Sequence, residues 1–258
     1  MDIKRLSQER FGRYAASYVT NPTHAGGPDL ARLVELVGDN PDWEALDIAT
    51  GAGHTALAVA GHVAHVIATD ITEMMLATAR DFIFAQGARN VTFQLADAED
   101  LPYPARSFDL VTCRIAAHHF PSPERFVREV ARVLRPGGLF LLQDQVAPEE
   151  ESTALWISRF EKRRDPSHHR SLSETEWEDL LLGHGFVIET VDRFEKRLDL
   201  ERWVGDQGGG PEDLAELRTL LSRAPRKVKE WMRPADMKSA QASFTVHHCL
   251  FGASAGAA

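Results

Sequence analysis

Cysteine is almost absent from this chain: Cys113 and Cys249 are the only two in 258 residues. Both lie in apolar, strand-like runs, so they read as buried free thiols. They build neither a disulfide framework nor a C-x-x-C metal motif. Positive charge is also scarce. Lysine and arginine number 29 against 38 acids, a formal net charge of −9, which argues against broad electrostatic binding of nucleic acid. No apolar run approaches the roughly 20 residues of a membrane span. The opening MDIKRLSQER is polar, so no secretory leader is expected there and the expected setting is the cytoplasm.

What is present is alternation. Leu46 to Ala60 reads LDIATGAGHTALAVA. A short apolar run carrying Asp47 meets a turn of small residues, and apolar residues then resume at helical spacing. This is a strand, a glycine turn and a helix start. Glycine lets a ligand approach the main chain, and a helix N-terminus offers free N–H donors. Gly51-x-Gly53-x-x-Ala56 fits the dinucleotide-binding fingerprint, whose last position is Gly or Ala. Asp70 ends a second apolar run, where a carboxylate accepts ribose hydroxyls. That much serves NAD and S-adenosylmethionine alike. Asp47, inside the strand end, suits a cationic or amino-bearing ligand better than a pyrophosphate.

Four segments follow in order: LDIATGAGH, VIATDITEMML, LADAEDLPYPARSFDLVTCRIAAHHF and VLRPGGLFLLQD. Together, over about residues 45 to 146, they resemble the motif series of class I S-adenosylmethionine-dependent methyltransferases. Within that class the likeness is to the group that includes the ubiquinone and menaquinone C-methyltransferases. One departure is visible, Ala49 standing where a glycine is usual. The resemblance implies an α/β, Rossmann-like, seven-stranded sheet, mostly parallel with the last strand antiparallel, flanked by helices on both faces and carrying a helical cap. It implies S-adenosyl-L-methionine as cofactor, with S-adenosyl-L-homocysteine as product. Asp47, Ala49, Gly51 and Gly53 would form its cradle. Asp70 would bind the ribose, and Ile71 and Met75 would lie near the adenosine. Asp97 would accept the adenine amino group, while the Ala98 N–H would serve a ring nitrogen. For Met75 a purely structural role remains open.

The chain divides into N-terminal helices over 1–44, a cofactor-binding core over 45–150, and a remainder over 151–258. That remainder holds the last strands and a cap at about 152–172 and 199–242. Phe11, Tyr14, Ala15 and Tyr18 share a helical face that Asn21-Pro22 ends. In the resembling family this helix is a lid, so Tyr14, Tyr18 and His24 are candidate contacts, against plain core packing. Thr72 is placed to cap the helix after Asp70, and Ser173 with Glu176 spells a capping box. Strands are expected at 46–49, 63–70, 91–95, 108–115, 139–143, 186–194 and 244–251, with a disordered tail from Gly252. Asp165 to Arg170 reads as a charged loop. Trp156, Phe160, Trp203, Trp231 and Met232 would line an apolar substrate pocket or simply fill the cap.

His118 and His119, beyond the fourth strand, are the catalytic candidates. An acidic hydroxyl or enol nucleophile must lose a proton, and histidine matches that task near neutral pH. The alternative is one packed and one solvated histidine. Arg114 would meet the methionine carboxylate or a substrate anion, or else a nearby acid such as Asp47. Three adjacent histidine pairs (118–119, 168–169 and 247–248) lack metal-site spacing, so no metal is expected. The reading is methyl transfer to carbon or oxygen of a small molecule. Competing readings are an NAD(P)-dependent oxidoreductase and a non-catalytic S-adenosylmethionine-binding protein. A homodimer stays open.

Overall fold

The computed structural model describes residues 3–21 and 25–256. Helices α1 (Ile3–Tyr18) and α2 (Pro28–Val37) precede the first strand. Then strands and helices alternate: β1 (Asn40–Ile48), α3 (His54–Ala60), β2 (Val63–Asp70), α4 (Glu73–Ala85), β3 (Val91–Leu95), β4 (Phe108–Arg114), α5 (Pro123–Val133) and β5 (Leu134–Gln145). A short 3-10 turn, Ala117–His119, follows β4. Helices α6 (Glu151–Arg164) and α7 (Glu174–Gly183) lead to β6 (Phe186–Asp199). Then come α8 (Leu200–Gly205), α9 (Pro211–Ser222), α10 (Arg226–Met232) and β7 (Ser243–Ala255).

The seven strands form one sheet in the order β3-β2-β1-β4-β5-β7-β6. The first five are parallel, and β7 runs antiparallel between β5 and β6, which leaves β6 at the edge. The two faces are legible in the alternation of side chains. Leu46, Ile48, Val111, Cys113, Phe140 and Leu142 point toward α5 and α7, where Phe126, Val130 and Trp177 meet them. Ala45, Leu110 and Leu141 point the other way, toward Leu33 of α2, Val59 of α3 and Ile83 of α4. Thus the expected sheet, with helices on both faces, is present. Both cysteines are buried and free.

Several local expectations are corrected. The last two strands are longer than their apolar runs, because their ladder continues to Asp199 opposite Ser243 and carries the cap on an extended hairpin. Gly252 to Ala255 is no loose tail. It pairs with β5 and β6, and a Cβ on Gly252 would stand 2.7 Å from Thr190 Cγ2, so small residues there serve close packing. β5 begins earlier, at Leu134 opposite Phe108, running through the expected Arg135–Gly138 turn. Thr72 sits at the N-cap of α4, but its side chain makes no capping bond. The Ser173–Glu176 capping box is formed as read. No helix among the described residues is long and apolar enough to cross a membrane.

The cap has its own core. Phe160 lies stacked between Trp156 and Trp203, at 5.6 and 5.4 Å between ring centres, and meets Phe244 edge-on. Leu217, Leu221, Val228 and Met232 complete this cluster. The aromatics read as pocket lining are therefore mostly interior, since separate short helices need an apolar centre to hold together.

Candidate functional site

In a parallel sheet the strand order reverses at β1 and β4, and a crevice opens beyond their C-terminal ends. That crevice is here a cavity. Ala49 and Gly51 reach it from β1, Asp70 and Ile71 from β2, Asp97 and Ala98 from β3, and Arg114 from β4. Gly51 has φ +55°, and a Cβ on it would meet no protein atom within 4 Å. The bare main chain is thus presented to whatever fills the cavity. Ala49 also lies in the left-handed region, at φ +53°, which explains why glycine is usual there.

The Gly51 N–H donates to Asp70 Oδ2 at 3.0 Å, and the Thr72 N–H donates to Oδ1 at 2.9 Å. Two main-chain donors fix the carboxylate, and each oxygen keeps a lone pair for a ribose hydroxyl. Burial pushes the Asp70 pKa up to about 6. This geometry, with the glycine cradle beside it, fits a nucleoside-bearing cofactor such as S-adenosylmethionine.

Not every expected residue stands on the wall. Asp47 lies behind it, buried, accepting from the hydroxyls of Thr50 and Thr112 at 2.6 Å each. It fixes the turn and the β1–β4 seam rather than facing a ligand, and burial raises its pKa to about 6. Gly53 also faces inward. At φ +90° it begins α3, and a Cβ there would lie 2.8 Å from Ile83 Cδ1, so its small size lets α3 close on α4. Met75 is buried and lines the cavity. Arg114 pairs with Asp29 of α2 at 3.0 Å. It feels Asp47 only at longer range. His24 lies outside the described residues.

Asp97 accepts the Glu99 N–H at 2.9 Å, which leaves its other oxygen to Lys4 of α1, at 2.6 Å. Lys4 also lies 2.7 Å from Glu99. With Phe11 and Tyr18 on the cavity wall, α1 covers the crevice. Tyr14 packs instead against the Gly208 turn, where a Cβ would stand 2.1 Å from its hydroxyl.

Beyond Ile115 and His119 a second cavity adjoins the first, and these two residues border both. Ile115 has φ +55°, a strained conformation for a β-branched residue, at the junction of the two spaces. His118 lines the second cavity only. Its Nδ1 lies 2.7 Å from Asp144 Oδ1, and its main-chain N–H donates to Asp144 Oδ2 at 2.8 Å. A carboxylate on Nδ1 fixes the proton there and leaves Nε2 as the accepting nitrogen. Burial is the largest influence on the His118 pKa and depresses it, but the charge and hydrogen bond of Asp144, together with the Glu161 and Asp165 charges, outweigh it and the net shift is upward. His119 differs. Its Nδ1 donates to the Ser167 carbonyl at 3.0 Å, and burial, with help from His118, holds its pKa down at about 4. Of the two, His118 is the stronger proton acceptor.

Three features escaped the sequence reading. Asp165, Ser167 and His168 are buried, although their segment reads as a charged loop. Asp165 is tied to Arg10 of α1 at 3.2 Å and to Gln207 of the cap at 2.8 Å. Asp144 reads from the sequence as a residue ending the fifth strand at the active edge and facing substrate; its role as partner of His118, like that of Asp29 as partner of Arg114, arises only by tertiary approach. No local pattern marks any of these. Among the described residues no group of three or more His, Cys, Asp and Glu side chains is arranged to hold a metal ion.

Residues 46–142 match the profile of a methyltransferase domain. The chain is 37% identical over 221 residues to the uncharacterized methyltransferase YcgJ of Bacillus subtilis, covering 85% of this chain and 87% of that protein. The crystal structure of YcgJ superposes with a TM-score of 0.85 at 32% identity, covering 89% of this chain and 99% of the other. The ubiquinone/menaquinone biosynthesis C-methyltransferase UbiE of Ectopseudomonas mendocina is 37% identical over 150 residues, 54% of this chain and 58% of that protein.

Proposed function

Because this chain belongs to the methyltransferase family, we propose that it transfers a methyl group from S-adenosylmethionine to carbon or oxygen of a small molecule seated in the second cavity. The observation that carries this reading is the junction at Ile115 and His119. It joins a crevice lined by Gly51 and Asp70 to a cavity walled by a carboxylate-backed histidine. When bound, the cofactor supplies an activated methyl on a sulfonium and takes back the electron pair of the broken carbon–sulfur bond. The residues of this chain do the rest. Asp70 would hold the ribose, Asp97 and the Ala98 N–H the adenine edge, and Gly51 the main-chain floor. His118 Nε2 would take the proton of the acceptor's hydroxyl or enol, and Asp144 would stabilise the imidazolium so formed. Closure of α1 over both cavities excludes water, which strengthens each of these charges.

Calorimetric titration with S-adenosylmethionine, S-adenosylhomocysteine and NADH tests the cofactor. Micromolar binding of the first two without the third is the expected result. Binding of NADH alone would move the account to hydride transfer. Binding of the first two with no turnover across a broad set of phenols, enols and quinols would favour a non-catalytic binding protein.

A further inference from the structure

The second cavity is not the apolar slot that the cap aromatics suggested. Of those side chains only Trp203 lines it, and its charged groups are Arg164, Arg197, Arg202, Asp199 and Asp206. The two acids are already occupied. Asp199 accepts the Arg202 main-chain N–H at 2.8 Å as the cap of α8. Asp206 accepts from Asn21 at 2.9 Å and lies 3.9 Å from Arg202. Two of the arginines stand differently. Arg197 donates to the Ser243 and Thr245 hydroxyls and to the main-chain oxygen of Arg233, all neutral acceptors. Arg164 lies 4.2 Å over the Trp203 ring and donates to the Trp203 carbonyl at 3.3 Å. Its buried Nε has no acceptor. Glu161 and Asp165 feel the Arg164 charge, yet Asp165 is committed to Arg10, Ser167 and Gln207. Among the described residues neither Arg164 nor Arg197 forms an ion pair with a carboxylate.

A guanidinium with an unmet buried donor is costly, and a carboxylate is the group its fork matches. His118 lines the same cavity, and with Asp144 on its Nδ1 its Nε2 is the accepting nitrogen. We propose that the acceptor is anionic: a small molecule whose carboxylate is held by Arg164 and Arg197 while its acidic hydroxyl or enol is presented to His118. The proposal rests on the reading of the second cavity as the acceptor site. The chain's net charge of −9 works against unspecific attraction of anions, so a preference for them would have to arise locally.

The test is calorimetry on the whole protein saturated with S-adenosylhomocysteine. The probes are hydroxybenzoates and hydroxyphenylacetates, each paired with its own methyl ester. The expected result is at least one pair in which the acid binds tenfold or more tighter than the ester. In Arg197→Gln, and separately in Arg164→Gln, that preference should fall fivefold or more, with affinity for S-adenosylhomocysteine unchanged within about twofold. Should Arg164→Gln fail to fold, Arg197→Gln carries the comparison, because its side chain is exposed on the hairpin. Esters binding as well as their acids, or no acid binding at all, would overturn the anionic class and leave the cofactor assignment standing. Failure of the wild-type protein to bind S-adenosylhomocysteine would overturn both.

Discussion

Replacing Asp144 with Asn should separate the proposed base from its cofactor site. Asp144 is buried and accepts three N–H groups: His118 Nδ1 at 2.7 Å, the His118 main chain at 2.8 Å and the Gln145 main chain at 2.7 Å. Asn keeps one acceptor oxygen but turns the other position into a donor. If that donor faces His118, Nδ1 must accept, the imidazole proton moves to Nε2, and the base is lost. Hydrogen bonds to a charged group are worth about 1.5–3 kcal/mol, so turnover should fall roughly 10- to 150-fold. Affinity for S-adenosylhomocysteine should stay within a few-fold, because Asp144 does not line the cofactor cavity. The acidic limb of the pH–rate profile should move down, since the charge and hydrogen bond of Asp144 are the largest of the influences that raise His118. Stability follows the same linkage. A histidine raised by its partner contributes fully below its unfolded pKa of about 6.5, and that contribution is lost as pH climbs through the folded value. The stability gap between wild type and Asp144→Asn should therefore be widest below about pH 6.5 and narrow as pH rises through the raised folded-state value. Wild-type turnover with an unmoved acidic limb would refute the reasoning.

Three further outcomes are expected. Asp70→Ala should weaken S-adenosylmethionine binding by about 1.5–3 kcal/mol, the scale of charge-assisted hydrogen bonds, and unchanged calorimetric affinity would reject the ribose assignment. Phe160→Ala should cost about 3–5 kcal/mol in chemical denaturation by leaving a hole between Trp156 and Trp203, with cofactor affinity nearly intact. A loss well under 2 kcal/mol would show that the cap does not depend on this stack. Ala49→Gly relieves a left-handed φ of +53° that costs an L-residue about 1–2 kcal/mol, against about 0.5–1 kcal/mol of added unfolded-chain freedom. The thermal midpoint should stay level or rise, and a clear drop would contradict the strain argument.

Much of the core was legible because it is written in local signals. The apolar run before Thr50-Gly51-Ala52-Gly53, the acid ending β2 and the alternation of strand and helix needed no tertiary information. Side chains alternate across a strand with a fixed period, so Leu46 and Ile48 against Ala45 already divide the two faces. The Ser173–Glu176 box was likewise readable, since both partners lie within one helical turn. The cap and the tail were harder. Gly252-Ala253-Ser254-Ala255 carries no hydrophobic pattern, and it is a strand only because Gly252 fits against Thr190 and the segment completes the ladders of β5 and β6.

By itself, then, the sequence determined the βα order, the glycine turn, Asp70 at the end of β2 and the histidine pair beyond β4. Each depends on neighbours within a few residues. Only the tertiary structure decided which groups those residues meet. Asp144 comes from β5 to His118, Asp29 from α2 to Arg114, and Lys4 from α1 to Asp97 across 93 positions. It also turned Asp47 and Gly53 away from the cavity and set Arg164 and Arg197 around the second one. The reason is physical: a buried charge takes its partner from whatever the packed chain brings within about 3 Å, and that distance bears no relation to separation along the sequence.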